Sequence, residues 1–239
     1  MNLSITPERK SAIWRSVREF LIIIVIALVA SFIIKTFFFR AFYIPSGSME
    51  NTLQIKDRIF VNLMRPGIWD IDRGDIVVFT DSDGWLKDTA YDTSDTEPNA
   101  LENVLIFVGL QPDPAEQHLI KRVIGMPGDR VECCDDSGRI KVNGQPIDEP
   151  YVHAGVAPSD FEFDVTVPED SLWVMGDNRN RSADSRYHMD GELEGFVPID
   201  TVTGRAELRV WPFDAFGDAG NAREPFENVP EPAGATHSK

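Results

Sequence analysis

The 239-residue sequence predicts a mainly β protein: one N-terminal transmembrane helix, then a domain of antiparallel β-sheets with a surface insertion. Three observations carry this reading. Phe20–Ile34 (FLIIIVIALVASFII) is an apolar run without a charge. Beyond residue 40, short segments rich in Val, Ile and Phe alternate with Gly, Pro and Asp clusters, the pattern of short strands. Asn143-Gly144, between Val142 and Gln145, is the turn of a tight hairpin.

Residues 1–17 read as a short cytoplasmic arm and 18–39 as the anchor. Twenty helical residues span about 30 Å, the thickness of a bilayer core. Lys35 lies close enough to one end to snorkel. Arg9, Lys10, Arg15 and Arg18 precede the apolar run, so the N-terminus is expected in the cytoplasm and the rest of the chain outside. A cleaved signal peptide fits less well. The apolar run is long for one, and Phe39 stands two positions before Ala41, where cleavage needs a small residue. Phe37, Phe38, Phe39, Phe42 and Tyr43 read as an aromatic belt at the outer interface.

Residues 40–213 read as one β domain. The expected strands are 58–63, 75–80, 118–124, 130–133, 139–142, 161–167, 172–175 and 205–211. Residues 81–117 are acidic and polar around a short apolar centre at 101–110, and read as a rim insertion with one helical piece. Residues 214–239, rich in Pro, Gly, Ala and acid, read as a disordered tail. The net charge of −16 argues against nucleic acid as a partner. Cys133 and Cys134 are adjacent, so they are either free thiols or one local bridge and staple nothing distant. No CxxC or HExxH suggests a metal site.

The residues that suggest chemistry are Ser48, just past the anchor in Ser46-Gly47-Ser48-Met49-Glu50, and Lys121, inside an apolar strand. A serine hydroxyl needs a base to take its proton. None of the four histidines sits in a recognisable triad context, and no G-x-S-x-G elbow is present. His118 stands three residues from Lys121, which on a strand is the opposite face. Lysine serves as the base only when neutral, and burial among aliphatic groups lowers its pKa toward that state. The Ser46–Ser48 turn lets a hydroxyl and a backbone N–H point into one space, as an oxyanion hole requires. A third block, residues 176–186, places a dense set of Asp, Asn, Arg and Ser directly after the strand 172–175.

Four blocks in this order, SGSMENTL (46–53), RGDIVVF (73–79), IKRVIGMPGD (120–129) and GDNRNRSADSR (176–186), resemble bacterial type I signal peptidase, also called leader peptidase. The doubled cysteine and the 81–117 insertion are similar to actinobacterial members. The resemblance implies a signal peptidase-like or LexA-like β fold. It implies a membrane-bound serine endopeptidase that removes signal peptides from exported preproteins after a small-x-small motif, through an acyl-enzyme and without cofactor or metal. Ser48 is then the nucleophile and Lys121 the general base. The Ser46 hydroxyl and Ser48 N–H form the oxyanion hole, and Ser182 orients the lysine. Arg122, Asp177, Asp184 and Arg186 scaffold the site. Phe42, Ile44, Met49, Leu53 and Ile120 line shallow substrate pockets. The implied partners are signal peptides of preproteins, the lipid bilayer and the protein export machinery. Three departures stand out, one of them Arg181 at a position where Asn is frequent. Asn51 replaces the usual proline, so that turn is expected to lose a fixed φ. Leu119 replaces the common tyrosine. A LexA-like self-cleaving protease is disfavoured by the anchor and by the lack of a DNA-binding domain. Trp69, Trp211 and Phe213 are expected either against lipid or in the core.

Overall fold

The computed structural model describes residues 7–68, 70–81, 83–86 and 118–232. Helix α1 runs Pro7–Phe37. Among the described residues it contains the one span long and apolar enough to cross a membrane, Trp14–Ile34, none of it buried. The residues expected to form a separate arm are helical from Pro7 and continuous with the span. The helix stops before residue 39 because the chain joins a sheet. Phe39–Tyr43 forms strand β1, which pairs antiparallel with β2 (Arg58–Asn62) from Phe39↔Asn62 to Tyr43↔Arg58. Part of the expected belt is therefore a sheet edge. Phe42 packs on the core beneath it, while Phe39 and Tyr43 stay exposed.

The larger sheet continues with β3 (Ile76–Thr80), β4 (His118–Gly125), β9 (Ser171–Met175), β10 (Val197–Pro198), β11 (Val202–Trp211) and β12 (Gly217–Asp218). Its order is β1-β2-β11-β3-β4-β9-β10, with β12 beside β11, and every pairing is antiparallel. A smaller antiparallel sheet has the order β7-β6-β5-β8. It comprises β5 (Arg130–Cys133), β6 (Ile140–Val142), β7 (Gln145–Pro146) and β8 (Phe163–Thr166). The fold is mainly β, as the strand pattern predicts. The Asn143-Gly144 turn joins β6 to β7, with both residues at positive φ.

β3 and β9 are covered on both faces, so they read as apolar runs rather than alternations. In β3, Ile76 and Val78 enter one core cluster, with Ile59, Val61, Met49 and Leu53. Val77 and Phe79 enter another, with Leu119, Val123 and Val174. A third cluster joins the two sheets through Val131, Ile140, Phe163 and Trp173. Each fully buried aliphatic side chain contributes about 1.5–3 kcal/mol.

Residues 214–232 are a packed strap, which corrects the expectation of a disordered tail there. β12 pairs with β11, and Phe226 and Val229 belong to the cluster between the sheets. The Arg223 guanidinium donates to buried Asp75, which also accepts from Arg205. Asn221 accepts the Ile76 N–H at 2.8 Å. At Gly74 (φ +86°) a Cβ would lie 1.9 Å from the Ala222 carbonyl, so only glycine lets the strap lie this close. Cys133 and Cys134 form a disulfide, the local bridge of the two alternatives. Trp211 and Phe213 are exposed, 45% and 76%, so of their two expected settings the core is excluded. Trp69 and the 101–110 piece lie outside the described residues.

Candidate active site

Lys121 sits in the middle of β4, in register with Val77, and is 3% exposed. On its other side β4 pairs with β9 only from Arg122↔Met175 toward Gly125. Past Met175 the β9 chain leaves the sheet at Gly176, and the turn Gly47–Met49 packs against β4 there. This departure brings Ser48 to the lysine: Nζ lies 3.0 Å from Ser48 Oγ and donates to the Ile120 carbonyl at 3.0 Å.

Burial disfavours the ammonium form and lowers the Lys121 pKa from 10.5 to about 8, although Asp184 and Asp177 pull it back up. Those carboxylates are themselves paired. Arg122, fully buried, donates Nε and Nη2 to Asp177 at 2.8 and 2.6 Å and Nη1 to the Gly74 carbonyl. Burial would push the Asp184 carboxyl up; the Arg186 guanidinium and the Gly176 N–H hold it below its ordinary value. Removing one partner of such a buried pair costs about 3–5 kcal/mol, because the other charge is left stranded.

Ser46 Oγ lies 3.4 Å from Ser48 Oγ, so the two hydroxyls share one space. Ser182 differs from the expectation. Its Oγ is buried and, among the described residues, bonds neither Lys121 nor Ser48; it lies against the Asp184 carboxylate, which its hydroxyl helps keep ionised. The lysine has turned to the Ile120 carbonyl, and Ser182 packs on Gly176 beside the Ser48 carbonyl. A Cβ on Gly176 would meet Ser182 Oγ at 2.2 Å and Ser48 O at 2.5 Å, so glycine is needed for this close approach.

Ile44, Met49, Leu53 and Ile120 come together, with Phe42 packed against them, in the core cluster under the turn. Met49 and Leu53 are fully closed off. His118, at the start of β4, packs at right angles to Phe42 at 5.0 Å with Nδ1 3.4 Å from Thr203 Oγ1. His188 stacks on Trp85 and turns Nδ1 to the Asp184 carbonyl. Among the described residues no three His, Cys, Asp or Glu side chains gather into a metal-holding group.

Several residues around the site were not singled out from the sequence. Asn178 donates Nδ2 to the Gly47 carbonyl and to Glu50, and its backbone N–H to the Ser48 carbonyl, gripping the turn from outside. Thr52 donates Oγ1 to Asp177. Both lie inside the blocks that carry the resemblance, and their polarity next to Ser48 was the available signal. Glu149 and Tyr151 follow β7 and had no local signal at all. Asn51 stands at φ +91°, a conformation closed to proline, and its Nδ2 donates to the Tyr151 carbonyl at 2.7 Å. The expected loss of rigidity at this departure is thus met by a side-chain tie.

The family described as "Signal peptidase, peptidase S26" matches residues 17–211. A probable signal peptidase I of Mycobacterium leprae is 36% identical over 244 residues, covering 90% of this chain and 82% of its own. Signal peptidase I of Mycobacterium tuberculosis (H37Rv) is 38% identical over 232 residues, covering 89% and 78%. A solved signal peptidase I from Enterococcus faecalis V583 is 27% identical over 56% of this chain and 95% of its own, with a TM-score of 0.35. A match that runs from inside α1 to the end of β11, with relatives above 35% identity along most of the chain, places this protein in the signal peptidase family, peptidase S26.

Proposed function

We propose that this protein is a membrane-anchored signal peptidase in which Ser48 is the nucleophile and neutral Lys121 the general base. Membership of the family makes it a serine peptidase that removes signal peptides from preproteins. The observation that carries the residue assignment is the buried Lys121 amine 3.0 Å from Ser48 Oγ. With a pKa of about 8, the amine is substantially neutral at mildly alkaline pH and accepts the hydroxyl proton as Oγ attacks the scissile carbonyl. The oxyanion meets the Ser48 N–H and the Ser46 hydroxyl, which turns from Ser48 Oγ to donate to it. The proton then passes from Lys121 to the leaving amine, leaving an acyl-enzyme. Water deprotonated by the same amine hydrolyses the ester and restores Ser48.

We infer cleavage after small-x-small sequences, in keeping with Met49 and Leu53 being taken up by core packing rather than lining a deep pocket. The anchor crosses the membrane once with its basic end in the cytoplasm. The exposed Phe39, Tyr43, Phe60, Leu208, Trp211 and Phe213 rest on lipid on the far side, where the export machinery delivers substrate. A disulfide in the domain agrees with that oxidising side.

The test is incubation of the full-length protein in detergent with a preprotein bearing an Ala-x-Ala site, with mass spectrometry of the new N-terminus. Wild type cleaves directly after the motif; Ser48→Ala and Lys121→Ala do not. Cleavage surviving in Lys121→Ala would sink the assignment of the base.

A further inference from the structure

The segment Glu149–Tyr151 lies outside every motif that marks the active site, yet it touches three of the site's parts. The Tyr151 carbonyl accepts Asn51 Nδ2 in the nucleophile turn. The Tyr151 ring, 7% exposed, covers the Arg122 guanidinium with Cζ 4.0 Å from its centroid. The Tyr151 hydroxyl donates to Glu149 at 2.8 Å. The Glu149 carboxylate also receives both Arg179 Nη atoms, and Arg179 Nε donates to the Gly176 carbonyl at 3.0 Å. Asn51, Arg122 and Arg179 come from different stretches of chain, and the segment is bonded or stacked to each of them.

We propose that Tyr151, held in place by Glu149, is a positioning residue for the Ser48–Lys121 pair, acting through Arg122. This rests on the reading of Lys121 as the base. The carboxylates that act on Lys121 are Asp184, paired with Arg186, and Asp177, paired with Arg122. Arg122 neutralises Asp177 only while its guanidinium stays flat against that carboxylate. The aromatic face holds it there by cation–π attraction and excludes water from its other side. Burial and the neighbouring Glu149 hold the Tyr151 hydroxyl well above its ordinary pKa, so the ring stays neutral and the hydroxyl remains a donor. With the ring gone, water hydrates Arg122, the pair loosens, and Asp177 bears more strongly on the amine. The lysine then keeps its proton to higher pH. Through Asn51 the same segment holds the turn that presents Ser48.

The experiment compares pH profiles of kcat/KM for the full-length protein in detergent, on a fluorogenic peptide with an Ala-x-Ala site. Tyr151→Leu and Tyr151→Met both remove the ring, so loss of folding in one leaves the other. Tyr151→Phe keeps it. Folding is followed by tryptophan fluorescence. In the ring-less variants the acidic limb rises by about half a pH unit or more, lowering kcat/KM about threefold or more at pH 7, with a smaller loss on the alkaline plateau. Tyr151→Phe, which keeps the ring and loses only the bond to Glu149, shifts the limb less than either ring-less variant. A folded ring-less variant with the wild-type limb overturns the proposal. Competitive acylation of Lys121 in the Ser48→Ala protein, read against pH, separates the two levels. An amine titrating near its ordinary value in that protein removes Lys121 as the base. An amine titrating near 8 with Tyr151 intact, and unmoved by Tyr151→Leu, removes the role of Tyr151 alone.

Discussion

Replacing Lys121 by methionine separates what the site costs the fold from what it does. Methionine keeps an unbranched stem and removes the charge. A pKa lowered from 10.5 to about 8 means that the folded state holds the ammonium at a penalty of about 3 kcal/mol. The variant also loses the hydrogen bonds to Ser48 Oγ and the Ile120 carbonyl, about 1 kcal/mol each. At pH 7 Lys121 is protonated in both the folded and the unfolded chain, so wild type bears the full penalty. The variant should therefore be about 1 kcal/mol the more stable. Between pH 8 and 10.5 the unfolded chain still holds the proton that the folded state has released. Wild-type stability relative to the variant therefore rises with pH through that window. Above it, wild type should lead by about 2 kcal/mol, from the hydrogen bonds alone. The assay is urea unfolding of both full-length proteins in the same detergent, by tryptophan fluorescence, at pH 7 and pH 10. Other titrating groups are common to both and cancel in the difference. A difference that stays constant across this range would refute the buried, neutral lysine.

Two further substitutions test the packing that delivers Ser48. Gly176→Ala places a methyl group 2.2 Å from Ser182 Oγ and 2.5 Å from the Ser48 carbonyl, so the turn that carries Ser48 must shift. A misplacement of about 1 Å costs about 100-fold in turnover, and steady-state cleavage should show that loss in kcat. Activity near wild type would mean the close approach is unimportant. Phe226→Ala removes a strap side chain from the cluster between the sheets and should cost about 3–5 kcal/mol. At about 2–4 °C per kcal/mol the midpoint falls by roughly 10 °C, measurable by thermal scanning; an unchanged midpoint would contradict the packed strap.

Much of the fold could be read from pattern because its strands are short and rich in Val, Ile and Phe. IVVF in β3 is a continuous apolar run, and in β4 aliphatic pairs flank Lys121 and Arg122, so both mark themselves even without alternation. What escaped has physical reasons. β1 follows an apolar helix without a break in composition, so its aromatics looked like an interface belt. β7, β10 and β12 are two residues long, too short to show a period. The strap is mostly Pro, Gly and acid, and its hold on the core depends on Ala219, Phe226 and Val229, which no local pattern groups. At the site, Ser48 and Lys121 could be paired from the resemblance, with burial as the physical reason for a lowered lysine pKa. The ties made by Asn178, Thr52 and Tyr151 depend on chain segments far apart in sequence. Ser182 shows the opposite limit: its neighbourhood was legible, but which acceptor the amine chooses is decided by three-dimensional geometry.

The strap also sets when the domain can form. Phe226 and Val229 complete a cluster whose other members include Val131, Ile140 and Trp173, so the core between the two sheets stays open until residues near the end of the described chain arrive. Contacts of such long sequence separation form late, because the intervening chain must first be closed into a loop. Ile124 of β4 and Met175 of β9 belong to the same cluster, so the strap also completes the packing around the strands that bring Lys121 to Ser48.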